Sequence, residues 1–300
     1  MRSREKAIER ALSFAAMLVL SLGACSPIVK AGPDAPSGAS ATVCLNADGP
    51  SGVDTYEIIR SAFGSNAIEL PDAFHTPPFR HVQEADDPDV GPCFVFYMHR
   101  DIDGDPNTMT RVDRQRCEMK VYDPSPEHLK GYENTTFTYN WRFKLSATIP
   151  VTKNFLHLFQ LKAVGSPDDD HPVVTLTGAK VSNTDRIQIR HAVSTDDVVL
   201  ADADWSAVKN AWLDVHVQAK FSDQGSLVIQ LKKSDGTVLL NVNRHLDIDM
   251  WRGGGFVRPK WGIYRSLNDI ANLINEEDEI RFANIAITPG ATASSDCRIP

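Results

Sequence analysis

Residues 136–145 read TFTYNWRFKL, and their alternation decides the fold. Phe137, Tyr139, Trp141, Phe143 and Leu145 take every second position, with Thr138, Asn140, Arg142 and Lys144 between them. Successive side chains of a strand point to opposite faces. A period of two therefore predicts a strand with one packed face and one face turned to solvent or ligand.

Similar segments follow one another from Cys93 to the end of the chain. They include CFVFYMHR, RQRCEMKVY, FLHLFQLKAV, VVTLTG, RIQIRHAV, AWLDVHVQAKF, SLVIQLKK, TVLLNVNR, KWGIYRS and IRFANIAI. Turn residues separate them, and Asp235-Gly236 in KSDGTV has the chemistry of a tight hairpin. TYEIIRSAF at 55–63 predicts a short helix. Many strands at short spacing and little helix place the chain in the all-β class, as one antiparallel β-sandwich of concanavalin-like jelly-roll type. A sandwich of this size with a curved sheet offers a concave groove suited to a polymer.

The N-terminus is of another kind. Arg2, Arg4, Lys6 and Arg10 precede the apolar run ALSFAAMLVLSLGA, which marks residues 1–25 as a secretory signal rather than part of the fold. Leu22-Gly23-Ala24-Cys25 resembles a bacterial lipobox, so Cys25 is the expected lipidation site. Ser26 follows with no retention-type Asp, which points to an outer-membrane lipoprotein. Residues 26–52, rich in Pro, Gly, Ser and Ala, read as a flexible tether, and 53–300 as the folded domain. With Cys25 lipidated, four cysteines remain in an oxidising compartment. Four cysteines allow three connectivities, of which Cys44–Cys297, tying the chain ends, with Cys93–Cys117 is the expected one, and free buried thiols are the alternative.

The chain has 300 residues, 42% of them hydrophobic and 23% charged, with a net charge of −8. That is enough material for one sizeable core. The net acidity argues against a nucleic-acid partner, and membrane association is expected through the lipid anchor only. A monomer is expected.

Polar groups spaced by two on strands share a face. RQRCEMK gives Arg114, Arg116, Glu118 and Lys120 on one side, opposite Gln115, Cys117 and Met119. NFLHLFQLKAV gives Gln160 with Lys162, and strict alternation turns His157 to the other face with Phe159. PKWGIYRS gives Lys260, Gly262 and Tyr264 together, opposite Trp261 and Ile263, and Gly262 would leave room for a sugar ring.

These three strands resemble, in the same order, the Arg-x-Glu-x-Arg, Gln-x-His and Lys-x-Gly-x-Tyr strands of jelly-roll polysaccharide lyases. That group includes the alginate lyases, glucuronan lyases and heparin-lyase-I-like enzymes. Lys162 stands where those enzymes have a His. The resemblance implies β-elimination on a uronic-acid polymer. A proton alpha to a carboxylate is removed at C5, and the C4–O bond breaks. Donors and cations must neutralise the carboxylate and hold the developing negative charge, which the resemblance assigns to Arg116, Gln160 and Lys162. Tyr264 is the implied proton carrier, its phenolate favoured by adjacent cations. Arg114, Lys120 and Lys260 are the implied substrate-binding cations, and Glu118 orients Arg116. The implied partner is an anionic polysaccharide. The competing reading is a lipoprotein of the same fold that binds an anionic glycan without cleaving it.

Other chemistry finds less support. A glycoside hydrolase needs two flanking carboxylates, and no strand carries Glu-x-Asp-x-x-Glu. G-x-S-x-G, HExxH and phosphate-binding glycine loops are absent. HRDIDGDPN alternates Asp101, Asp103, Asp105 and Asn107, the ligand types of a calcium loop. Pro106 stands where an EF-hand needs Gly, so a structural Ca²⁺ is only a minor expectation and no cofactor or metal site is assigned. His99 and His216 are assigned structural roles, and RGGGF at 252–256 is expected to form a flexible loop.

Overall fold

The structure is a computed structural model that describes residues 41–292 and Cys297. The signal segment, Cys25 and the tether up to residue 40 lie outside the described residues.

Among the described residues, fifteen strands and one α-helix follow in chain order. They are β1 (Val43–Leu45), α1 (Thr55–Phe63), β2 (Ile68–Glu69), β3 (Val82–Asp87), β4 (Gly91–His99), β5 (Arg114–Lys120), β6 (Thr136–Leu145) and β7 (Leu156–Val164). Then come β8 (Val174–Val181), β9 (Thr184–Ala192), β10 (Asp197–Asp204), β11 (Trp212–Lys220), β12 (Gly225–Lys233), β13 (Val238–Ile248), β14 (Phe256–Ser266) and β15 (Glu277–Pro289). The first sheet has the order β13-β12-β11-β6-β15-β4-β3, with β1 added beside β15. The second has the order β10-β9-β8-β7-β14-β5-β2. All the pairings are antiparallel, as a jelly-roll sandwich requires.

The core lies where the alternation of β6 puts it. Phe137, Tyr139, Trp141, Phe143 and Leu145 are all buried. Trp141 of the first sheet meets Phe159 and Trp261 of the second, at ring-centroid distances of 4.4 and 6.0 Å. Each such side chain contributes about 1.5–3 kcal/mol by leaving water. The helix α1 begins at Asp54, whose carboxylate accepts from the Tyr56 and Glu57 amides. It buries Tyr56, Ile59 and Phe63, and the Phe63 ring stacks on Trp261 at 5.8 Å. The β12–β13 turn is the expected one, with Gly236 at φ 87° and the Asp235 carboxylate accepting from the Thr237 amide.

Two expectations about the chain ends and cysteines change. The folded unit begins before residue 53, because β1 pairs with β15 and the Asp48 and Gly49 amides donate to Glu84. Cys44 and Cys297 are bridged, as expected. Cys93 and Cys117 are not: both are buried free thiols. They sit on different sheets, Cys117 in the main core and Cys93 in a small separate cluster with Val95, Trp212 and Ala283. The loop 252–256 is anchored rather than free, since the Arg252 guanidinium donates to the carbonyls of Asp168, His171, Pro172 and Ala192.

Candidate active site

The three polar strands β5, β14 and β7 are neighbours in the second sheet, with β14 in the middle. Their register pairs Arg116 with Tyr264, Glu118 with Gly262, and Lys120 with Lys260. Across the other edge of β14, Lys260 pairs with Gln160 and Arg258 with Lys162. Paired residues of antiparallel strands share a face, so Arg116, Glu118, Lys120, Gln160, Lys162, Lys260 and Tyr264 converge as the alternation predicted. Arg114 joins them by donating to the Tyr264 hydroxyl at 2.8 Å.

His157 does not go where alternation sends it. The register of β7 with β8 slips between His157 and Phe159, leaving Leu158 as an extra residue. The register with β14 slips at the same place, so that His157 pairs with Tyr264 while Phe159 pairs with Trp261. A bulge of one residue inverts the face of everything beyond it. His157 therefore leaves the core side of Phe159 and stacks against Phe155 and Tyr264, with centroids 4.6 and 5.7 Å away. Its Nδ1 lies 2.7 Å from the Thr177 hydroxyl, which itself donates to Thr175. Thr177 thus accepts from Nδ1–H, and Nε2 keeps its lone pair. Burial, reinforced by Arg190 and Arg116, pushes the imidazole pKa down to about 3, so the ring stays neutral.

Gly262 has a different role from the one expected. At φ 147° it brings β14 so close to β5 that a Cβ would stand 2.1 Å from the Cys117 carbonyl oxygen. It serves the contact between strands, not a sugar ring.

Tyr264 is also altered by its setting. The Arg116 guanidinium lies 3.8 Å from its ring centroid. Arg116 and Arg114 both favour the phenolate, yet burial outweighs them and the phenol pKa is raised. The expected phenolate is therefore a phenol, because desolvation of the anion exceeds the attraction of the two cations.

The cations of this face are largely paired with carboxylates of the protein itself. Glu118 accepts from Arg116 at 2.7 Å, from Lys260 at 2.5 Å and from Gln160. Glu69, on the two-residue strand β2, accepts from Lys120 and Lys260, each at 2.6 Å. Asp105 accepts from Arg116 Nε at 3.2 Å. Glu118 pairs with Arg116, while Lys120 and Lys260 are tied to Glu69 rather than open to a ligand. Among the described residues, Lys162 and Arg258 form no ion pair. Lys162 Nζ reaches the Asp170 carbonyl and Arg258 that of Val121, each at 3.4 Å, and the Arg258 guanidinium also lies over the Tyr122 ring, 4.3 Å from its centroid. Burial, helped by Lys260 and Arg116, lowers the Lys162 pKa to about 8. A cleft of about 310 Å³ opens here, lined by Glu69, Arg116, Lys120, Lys162, Arg258 and Lys260 among others. Tyr264 and His157 do not line it; they lie beside it, past Arg116.

Arg258 was legible in the sequence, two positions before Lys260 on the same strand. Glu69 and Asp105 carried no such signal, because they reach the face from a two-residue strand and from a loop. The acidic loop does not gather its oxygens on one point: Asp101 takes Arg100, Asp105 takes Arg116, and Asp103 turns inward to histidines. His216 lies on the first sheet, bonded to Asn140 at 2.8 Å, away from Tyr264.

This arrangement can be set beside known proteins. No protein-family model matches the sequence, and no curated protein does. Solved structures do match in shape. The alginate lyase Aly36B superposes with a TM-score of 0.52 at 10% identity, covering 82% of this chain and 96% of its own. A mutant of the same enzyme in complex with alginate trisaccharide gives 0.51 at 10% identity, covering 85% and 100%. An endo-β-1,4-glucuronan lyase from the fungus Trichoderma reesei gives 0.50 at 13%, covering 87% and 99%. The chain has the fold of the jelly-roll polysaccharide lyases. At these identities the likeness is one of fold, and the chemistry rests on the residues described above.

Proposed function

We propose that this chain is a polysaccharide lyase that cleaves a uronate-containing glycan by β-elimination, acting as an exported, lipid-anchored protein. One observation carries the reading: a neutral histidine with a free Nε2 and a protonated tyrosine lie side by side over a cationic face. Environments that push two titratable groups apart in this way define a base and an acid. His157 Nε2 takes the C5 proton. The electron pair left behind forms the C4=C5 double bond and expels the C4 oxygen, which takes its proton from the Tyr264 hydroxyl. Arg116 is a positioning residue, stacked on Tyr264 and held by Glu118 and Asp105. Lys162, free of internal carboxylates, neutralises the substrate carboxylate, with Arg258 and the cleft receiving flanking sugars.

The binding-only reading has one observation in its favour: Arg116, Lys120 and Lys260 are already neutralised by Glu118 and Glu69. An assay on glucuronan, alginate, heparin-type and ulvan substrates separates the two. A lyase releases unsaturated ends that absorb in the ultraviolet, whereas a binder saturates without new chain ends. Tyr264→Phe and His157→Gln are each expected to lower kcat by about 10²–10⁴-fold, as general acid–base groups do, with glycan binding retained. Absence of absorbance on every polyuronate would refute the enzyme, and full turnover in His157→Gln would remove it from the reaction.

A further inference from the structure

Beyond the loop that enters β5, four side chains from separate segments point at one another. His75 follows a short helical turn, His81 precedes β3, His99 ends β4, and Asp103 lies in the next loop. His75 Nε2 and His81 Nε2 lie 2.8 and 2.9 Å from Asp103 Oδ1, and His99 Nδ1 lies 3.3 Å from both Asp103 Oδ2 and His81 Nε2. All four donor atoms fall within 4.8 Å of one another. Donors at zinc-ligand distance on a tetrahedron are about 3.3 Å apart, so the cluster needs little movement to enclose an ion. We propose that His75, His81, His99 and Asp103 form a closed, structural site for a divalent transition metal of the zinc type.

Three further features support a metal over a simple hydrogen-bond cluster. His81 and Asp103 are fully buried, and His81 sits between the Asp103 and Asp72 carboxylates, a surplus of negative charge that a bound cation offsets. The far nitrogens of two histidines are held by carboxylates: His81 Nδ1 by Asp72 at 2.9 Å and His99 Nε2 by Glu277 at 3.0 Å. That outer arrangement fixes the tautomer and aims the other nitrogen's lone pair inward. The Tyr56 hydroxyl in turn donates to Asp72 at 2.7 Å. Finally, the Phe79 ring packs against His75, His81 and His99, with centroids 4.8–5.5 Å away, and shields the site. Three nitrogens and one oxygen suit zinc-like ions and exclude calcium or magnesium, which take oxygen donors. Four protein ligands leave no open position for a reacting group.

The site fastens the segment before β3 and the end of β4 to the loop that enters β5. The Asp103 carbonyl accepts from Gln115 at 2.8 Å, and the Gly104 carbonyl accepts from the Arg116 amide at 3.1 Å. Two residues beyond Asp103, Asp105 holds the Arg116 guanidinium. The metal therefore secures the loop that presents Arg116, without taking part in chemistry.

The test uses the whole folded domain stripped with a chelator and titrated with Zn²⁺ and with Co²⁺. One equivalent per chain, the visible bands of tetrahedral Co²⁺ and a raised Tm are expected. His75→Ala and His99→Ala should abolish stoichiometric binding, Asp72→Asn should weaken it about 10–100-fold, and His216→Ala should leave it unchanged. Substoichiometric binding by folded wild type, octahedral Co²⁺ spectra, or unchanged binding in both histidine variants would overturn the proposal. Because wild type is read directly, a variant that fails to fold does not rescue it. None of these readouts depends on lyase activity.

Discussion

Lys162 offers the sharpest test of how the site handles charge. Burial and the neighbouring cations Lys260 and Arg116 hold its pKa down to about 8, well below the ordinary lysine value of about 10.4. The ammonium is the charged form, so it is present below pH 8 and lost as pH rises through it. Roughly nine in ten free molecules carry the charge at pH 7 and one in ten at pH 9, so kcat/KM should fall about tenfold over that interval, since it follows ionisation of the free enzyme. Tyr264 does not contribute there, because its pKa is raised above its usual value. Lys120 titrates in the same range but is bound to Glu69, so substitution at Lys162 tells them apart. Lys162→Arg, whose charge persists throughout, should flatten the alkaline limb. Lys162→Met should lose one charge-assisted contact, about 1.5–3 kcal/mol, or roughly 10–150-fold in kcat/KM at pH 7. The measurement is initial rate of ultraviolet absorbance against pH for the three proteins. An alkaline limb unchanged in Lys162→Arg, or full activity in Lys162→Met, would refute the assignment of Lys162 as the carboxylate-neutralising cation.

Three further outcomes concern stability. Glu118→Gln removes a buried charge shared by Arg116 and Lys260, and should destabilise the fold by about 3–5 kcal/mol in urea unfolding; a loss below about 1 kcal/mol would mean that Glu69 and Asp105 suffice. Gly262→Ala should cost about 2–4 kcal/mol, because the new methyl meets the Cys117 carbonyl and the backbone lies in the glycine region; wild-type stability would show that the strands can part at no cost. Cys44→Ser opens a bridge of sequence separation 253, and should lower stability by up to about 5 kcal/mol on the chain-entropy view; thermal unfolding of the variant, and of wild type under reductant, should agree.

Much of this site was legible because β5 and β14 keep regular alternation over the reading frame that matters. Arg116, Glu118, Lys120, Lys260 and Tyr264 could be put on one face by counting in twos, and they are there. Gln160 and Lys162 followed by the same rule. His157 failed it because Leu158 is an extra residue, and nothing in LHLFQLK marks which position will bulge. The Cys93–Cys117 pairing failed for a related reason: counting cysteines says nothing of which sheet, or which face, each thiol occupies.

By itself, then, the sequence determined eleven of the fifteen described strands, the helix at 55–63, the Asp235-Gly236 turn, and which face of three strands bears charge, while β1, β2, β3 and β10 and the choice of Cys44 with Cys297 waited for the structure. These are local patterns, set by period, turn chemistry and composition. Only the tertiary structure decided that His157 turns to Tyr264, that Glu69 and Asp105 neutralise the cations from outside those strands, and that three histidines and Asp103 meet. Each of these depends on register between neighbouring strands, or on segments far apart in the chain. The protonation states of His157, Lys162 and Tyr264 belong to the same class, because burial sets them and burial is a property of the packed sandwich.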